Sequence, residues 1–342
     1  MFSTHSKIFV TGATGFVGSY IVEKLLSAGY DNIFCLTRNA KNKGLATDFA
    51  DKVFWLEGDI LNMPLLTEQI ADMEIVIHAA AIVTFRTKEK KKILETAMDG
   101  TANLVNASID RLVKKFVHIS STAAIGRRKK EENIDEKMIF SHSEFDTTYG
   151  LSKFLAEQEV WRGHAEGLNT IILNPSMVIG AGNWEYSSPQ IFKKIYEGMK
   201  YYPEGTNGWV DVRDVAKATI LALKSETVGK RYIISSENVS YKYVFETIAQ
   251  SLKVKGPTKK LNMFLAGILW RWEAFKSFLF RIEPVVTKET IKSTSVSSIY
   301  DNTASIKDLE MDYISIVKSI EDTAHSFLRT WPTGVKWSKF HE

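Results

Sequence analysis

A tyrosine four residues ahead of a lysine can act as a proton-transfer pair. On a helix that step puts both side chains on one face, about one turn apart. A phenol is a poor acid at neutral pH, with an unperturbed pKa of about 10. A nearby ammonium favours the phenolate and lowers that value. Such a tyrosine could give a proton to a carbonyl oxygen while a hydride reaches the carbon, or act as the base in the reverse direction. Spacing alone does not single out a pair, because the chain contains three: Tyr20–Lys24, Tyr149–Lys153 and Tyr196–Lys200. Gly198 lies inside the third and weakens any helix there. The first sits just after a glycine-rich turn, so its helix points away from a reaction centre beyond that turn. The second opens a long amphipathic pattern, YGLSKFLAEQEVWRGHAEG, between two apolar runs.

The elements that must carry such a pair follow from hydrophobic patterning. Strands are expected at 7–11, 32–37, 53–57, 74–80, 115–120 and 169–174. Each is a continuous apolar run, as in parallel strands buried on both faces. Helical patterns at 16–28, 88–109 and 149–165 fall between them, which predicts an α/β, doubly wound parallel sheet. Residues 209–224 begin as a strand and continue as a helix, 230–235 form another strand, and the chain beyond 236 is mainly helical. The expected division is a dinucleotide-binding domain of residues 1–178 and 209–235, with a smaller, mainly helical substrate lobe of 179–208 and 236–342.

Composition excludes several classes. The chain has 342 residues, 44% apolar and 25% charged, with a net charge of +4. That is ordinary for a globular protein and too weak for a nucleic-acid footprint. The basic runs KEKKK (88–92) and RRKK (127–130) read as solvated faces. The single cysteine, Cys35, excludes an internal disulfide and suits a small core residue. No Cys/His spacing suggests a metal. The N-terminus lacks a signal-peptide pattern, so a cytoplasmic location is expected. The aromatic segment 261–282 is interrupted by Arg271, Glu273, Lys276 and Arg281 and is too short in its charge-free part to span a bilayer. It is expected to pack on the protein or cover a pocket, with peripheral membrane contact as the alternative.

The stretch VTGATGFVG (10–18) follows the first strand and opens the first helix. Its glycines, Gly12, Gly15 and Gly18, allow a sharp turn and close backbone approach to a pyrophosphate. The helix start adds free N–H groups and a positive dipole end. The backbone of Gly12, Thr14, Gly15, Phe16 and Val17 is therefore the expected phosphate cradle. The T-G-x-x-G-x-x-G form resembles the extended short-chain dehydrogenases/reductases, the NAD-dependent epimerase/dehydratase family, with a Rossmann-type sheet. The dihydroflavonol reductase-like and 3β-hydroxysteroid dehydrogenase-like branches are the nearest in pattern.

That resemblance implies roles for further residues. In FVHISSTAAIG the active hydroxyl falls on Ser121, with Ser120 and Thr122 as alternatives if the register slips. The order of strand, serine, tyrosine and lysine then selects Tyr149 and Lys153. Tyr149 becomes the proton donor or base, and Lys153 its tuner and a ligand of the nicotinamide ribose. Asp59 and Ile60 would hold adenine, Ala79, Ala80 and Ala81 would lie against the adenosine ribose, and Pro175, Met177 and Val178 would hold the carboxamide. The asparagine that many relatives carry three residues before Gly100-Thr101 is Ala97 here, so a fourth catalytic residue is unassigned. A homodimer is a further expectation of the resemblance.

The second strand ends in Thr37-Arg38 rather than an acid. An acid would favour NAD through the ribose 2′-hydroxyl. Arg38, with Lys41 and Lys43 nearby, suits a 2′-phosphate, so NADP is expected, with NAD as the alternative. Trp184, Tyr186, Tyr201 and Tyr202 are candidates to line an apolar substrate site. The leading expectation is an NADP(H)-dependent oxidoreductase that reduces a ketone or aldehyde, or oxidises a secondary alcohol, of a fairly apolar small molecule. A nucleotide-sugar epimerase or dehydratase with tightly held cofactor, and a non-enzymatic NAD(P)-binding sensor, are the alternatives.

Overall fold

The structure, a computed structural model, describes residues 2–39, 41–81, 90–126, 133–140, 143, 146–261 and 288–334. The basic run 127–130, the first two residues of the run 88–92 and nearly all of the aromatic segment 261–282 lie outside them. Among the described residues, no helix is long and apolar enough to cross a membrane.

Among the described residues the strands are β1 (Ile8–Thr11), β2 (Ile33–Thr37), β3 (Phe54–Glu57), β4 (Ile75–His78), β5 (Lys115–Ile119), β6 (Asn133–Ile134), β7 (Thr170–Pro175), β8 (Met177–Ile179), β9 (Tyr201–Tyr202), β10 (Thr206–Asp211), β11 (Lys230–Ile234), β12 (Glu237–Ser240), β13 (Lys259–Lys260) and β14 (Ile299–Tyr300). The helices used below are α1 (Phe16–Ser27), α2 (Met63–Gln69), α3 (Lys90–Asp110), α4 (Thr148–Ala165), α5 (Gln190–Tyr196), α6 (Val212–Lys224) and α7 (Tyr241–Ser251). Seven strands form one parallel sheet in the order β3-β2-β1-β4-β5-β7-β11. This is the doubly wound arrangement expected from the apolar runs.

Alternate residues of each strand feed different cores. Ile8 and Val10 of β1, with Ile33, Cys35, Ile75 and Ile77, pack with α1 and α6 on one face. Phe9, Val76, Phe116 and Ile172 pack with Leu104, Val105 and Val160 of α3 and α4 on the other. Cys35 is fully buried, and burial pushes its thiol up to about 12, so it stays an inert core residue.

The sixth expected strand, 169–174, is β7 of the main sheet. The chain leaves the main sheet after Pro175, and β8 joins a second sheet ordered β12-β10-β8. This sheet carries a separate core of Ile179, Trp184, Phe192, Trp209, Tyr241, Ile316 and Phe327. Residues 237–240, at the start of the stretch expected to be mainly helical, are the strand β12, which pairs with Asn207, Gly208 and Trp209 of β10.

The stretch VDVRDVAKA is a structural joint. Asp211 caps α6 by accepting the Arg213 N–H at 2.7 Å, and the Arg213 guanidinium returns to Asp211 at 2.7 Å and to Asp322 at 3.0 Å. Asp214 is buried and accepts the Ile314 N–H at 2.9 Å, tying the C-terminal segment to α6. Burial, with the Asp211 charge, pushes the Asp214 carboxyl up to about 7, against the pull of that hydrogen bond.

The glycine-rich turn is held by contacts that only glycine permits. A Cβ on Gly18 would lie 2.1 Å from the Gly12 carbonyl oxygen, so Gly18 packs against the turn itself rather than against the strand. Gly12 has φ +78, and a Cβ there would meet the Ala79–Ala80 backbone at 2.6 Å.

Two outcomes follow. A carboxyl with a raised folded pKa stabilises below its unfolded pKa, and that contribution is lost as pH rises through the folded value, here between about 4 and about 7. Asp214→Asn, which keeps an acceptor for Ile314, should therefore gain on the order of 1–2 kcal/mol relative to wild type at pH 8 and little at pH 4. Equal shifts at both pH values in thermal melts would contradict this. Gly18→Ala should lower Tm, because a backbone oxygen cannot yield, at about 1–3 kcal/mol for overpacking. A Tm equal to wild type would show that the turn is not tight.

Candidate active site

The carboxyl ends of the central strands open onto a cleft of about 490 Å³. Ligands of open α/β sheets bind at this end, where the strand order reverses. Gly12, Thr14 and Gly15 line it, with Arg38 after β2, Asp59 and Ile60 after β3, Ala79, Ala80 and Ala81 after β4, and Lys153 of α4. Phe16 and Val17 begin α1 outside this lining, and the Phe16 ring packs edge-on to Tyr20, away from the turn. Gly15 precedes α1 without a side-chain cap, and the first turn carries no acid. The N–H groups and positive dipole end of α1 are thus left for an anion, which fits a dinucleotide diphosphate.

Arg38 is exposed at the rim of the cleft. Lys43 is not its partner: the Lys43 ammonium sits 3.9 Å over the Trp55 ring, outside the lining. Lys41 is also absent from the lining. Asn39, Asn42 and Gly44 line it instead, a part that patterning missed because a polar loop has no period. On the other side, Asn103 of α3 donates to the Ile60 carbonyl at 3.0 Å and braces the Asp59–Ile60 turn.

Tyr149 lies in the first turn of α4. Thr147 caps that helix, its hydroxyl accepting the Gly150 N–H at 3.0 Å. A Cβ on Gly150 would fall 2.8 Å from the Ala123 oxygen, so glycine there admits the loop that follows Ser121. The Ser121 hydroxyl accepts the Ala123 N–H at 3.2 Å and acts on the nearby Tyr149 phenol; neither Ser121 nor Tyr149 is in the cleft lining, which Lys153 joins. Ser120 and Thr122, the alternatives to Ser121, are buried. Lys153 is 5% exposed, and its ammonium donates to the Ile119 carbonyl at 2.9 Å. Burial pulls Lys153 down to about 8, while the Glu157 charge acts the other way. Burial also raises the Tyr149 phenol above its usual 10, opposed by the Ser121 hydroxyl. The sequence-based expectation that Lys153 lowers the phenol is not met: burial sets the direction, and the opposing pull comes from Ser121.

The other two tyrosines are engaged elsewhere. Tyr20 is buried, its hydroxyl donating to the Ala181 carbonyl at 2.9 Å. Tyr196 ends α5 against Phe327, and the chain turns at Gly198 with φ +89, so Lys200 is not on its helix. Pro175 ends β7, and Met177 and Val178 begin β8, all outside the cleft lining. Trp184 is fully buried in the second core, with its N–H on Thr330, so it packs rather than faces a ligand. Tyr186 is 59% exposed, and Tyr201 and Tyr202 are half-buried.

His78 and His118, which line the floor, escaped the sequence reading. They are register partners on β4 and β5, with ring centroids 5.0 Å apart. Thr101 donates to the Ala97 carbonyl at 2.6 Å, so its oxygen accepts from His78 Nε2 at 3.1 Å. His78 Nδ1 then accepts from Thr11 at 2.7 Å, and Thr11 accepts the Ala80 N–H at 3.2 Å. Burial and the Lys153 charge pull His78 down to about 3 and His118 well below its usual value, so both rings are neutral. The chain of bonds fixes the backbone of Ala79–Ala80 at the cleft wall. Each histidine is one polar residue in an apolar run, and only the strand register reveals the pair.

Residues 8–235 match the NAD dependent epimerase/dehydratase family. Cinnamoyl-CoA reductase 1 of Arabidopsis thaliana is 27% identical over 93% of this chain and 88% of its own. The crystal structure of gox2253 superposes with a TM-score of 0.79 at 28% identity, over 95% of this chain and 98% of that one. UDP-glucose 4-epimerase of Thermotoga maritima, at 20% identity and a TM-score of 0.77 over 94% and 99%, shares the fold. With the parallel sheet, the uncapped helix start and the glycine turn, these matches make the chain a member of the NAD dependent epimerase/dehydratase family, and so an NAD(P)-dependent enzyme of the extended short-chain dehydrogenase/reductase type.

Proposed function

We propose that the protein is an NADP(H)-dependent oxidoreductase that reduces a ketone or aldehyde, or in reverse oxidises a secondary alcohol, of a fairly apolar small molecule. The observation that carries this reading is Tyr149 and Lys153 one turn apart on α4, with Ser121 beside the phenol and the buried Lys153 ammonium in the cleft. The similarity to cinnamoyl-CoA reductase 1 supports reduction as the direction. Arg38 at the rim supports NADP, since a planar guanidinium can pair with a 2′-phosphate and stack on adenine.

When bound, the nicotinamide supplies the hydride to the carbonyl carbon. The residues supply the rest. Ser121 donates a hydrogen bond to the carbonyl oxygen and stabilises charge developing there. Tyr149 gives that oxygen its proton, and a phenol held above its usual pKa is protonated throughout the neutral range. Lys153 holds the ribose hydroxyls and keeps a positive charge beside the tyrosine. Residues 179–208 and 236–342 form the lobe that meets the substrate. Its apolar character is inferred from Tyr186 and Tyr202, whose rings stay at the surface while Trp184 fills the core.

The test is NADPH oxidation across a panel of ketones and aldehydes. Wild type should consume NADPH, and Tyr149→Phe should lose about 100-fold or more in kcat with NADPH affinity unchanged. Arg38→Ala should weaken NADPH and leave NADH nearly as before. Unimpaired turnover in Tyr149→Phe would end this reading. A wild type that consumes no NADPH and retains its nucleotide through purification would favour an epimerase or dehydratase.

A further inference from the structure

Asn174, near the end of β7, stands between the two parts of the candidate site. Its amide nitrogen donates to the Ser121 carbonyl at 2.9 Å and to Glu157 Oε1 at 2.5 Å. Both partners are acceptors, so the amide has one workable orientation. Glu157 is fully buried on α4, one turn beyond Lys153 and two beyond Tyr149 on the same face. Its other oxygen pairs with the Arg231 guanidinium of β11 at 3.3 Å. Arg231 is held in turn by the Glu136 carbonyl at 2.8 Å and by the Met138 carbonyl. Asn174 is fully buried as well, and neither it nor Glu157 lines the cleft.

We propose that Asn174 and Glu157 are positioning residues of the reaction. They hold the Ser121 loop in register with the helix that bears Tyr149 and Lys153, and Glu157 is the buried counter-charge of Lys153. This rests on the roles given above to Ser121, Tyr149 and Lys153. The geometry provides two linked constraints. Without Asn174, the loop at Ser121 and the helix at Glu157 lose a side chain that bonds both. Burial pushes the Glu157 carboxyl up, against the pull of Ser120 after β5, Arg231 of β11 and Asn174 of β7 that favours its charged form. Without the Glu157 charge, the titratable groups left beside the Lys153 ammonium among the described residues are the neutral rings of His78 on β4 and His118 on β5. Burial alone would then pull the lysine further down.

Two variants and two readouts test this. Asn174→Asp keeps the volume but turns both donors into acceptors. It should lower kcat by about 10–100-fold, the scale of a small misplacement of reacting groups, with KM for NADPH within about 3-fold. A wild-type kcat in a folded Asn174→Asp, or a rise in KM for NADPH that accounts for the loss, would overturn the positioning role. Glu157→Gln keeps the shape and removes the charge. In 13C-labelled lysine NMR spectra, with the Lys153 signal assigned from Lys153→Arg, its titration midpoint should fall to lower pH, and no substrate is needed. An unchanged midpoint would overturn the counter-charge. Tyr149→Phe in the same turnover assay separates the two ideas. If it is inactive while Asn174→Asp is normal, only the bracket fails. If it is fully active, the assignment of the reaction fails.

Discussion

An ammonium buried against the tip of a parallel sheet is the constraint around which the candidate site is built. Lys153 gives a hydrogen bond to the Ile119 carbonyl, and burial has brought it to the edge of losing its proton near pH 8. A charge in that position is costly unless the surroundings answer it. The Glu157 charge one turn away acts against that loss, and the two histidines on the floor stay neutral chiefly because they are buried, with the ammonium adding to the effect. The polar residues of this region therefore form one electrostatic unit that extends to Arg231 on the edge strand β11.

The rest of the architecture sets distances. Parallel strands put their carboxyl ends on one side, and the order β3-β2-β1-β4-β5-β7-β11 opens a crevice where the connections change direction. Close backbone crossings shape that crevice. Gly18 lets α1 press on the turn at Gly12, and Gly150 lets α4 press on the loop after Ser121. Packing of this kind resists small changes in volume, so the reacting groups are held by the interior rather than by a mobile surface.

Much of this was legible in the residues because its causes are local. Apolar runs marked β1 to β5 and β7 to within a residue or two at most ends, and the turn 10–18 announced the helix start after it. Of the three tyrosine–lysine pairs, Gly198 weakened one, the glycine-rich turn disfavoured another, and the resemblance pointed to Tyr149–Lys153. What was not legible depends on who lies across from whom. His78 and His118 meet only through strand register. Asn174 reads as one polar residue in an apolar strand until Ser121 and Glu157 are brought to it. Lys43 stood near Arg38 by sequence distance as added positive charge, yet its ammonium sits over Trp55 of the next strand. Trp184 looked like pocket lining by composition, and burial in the second core decided otherwise.

The most direct measurement of the central claim is a crystal structure of the protein with NADP bound. The account predicts the diphosphate over the backbone of Gly12 to Val17, the 2′-phosphate beside Arg38, and the nicotinamide C4 close enough to the Tyr149 hydroxyl for one carbonyl group to touch both. A cofactor bound with its nicotinamide turned away from Tyr149, or with its ribose out of reach of Lys153, would contradict it.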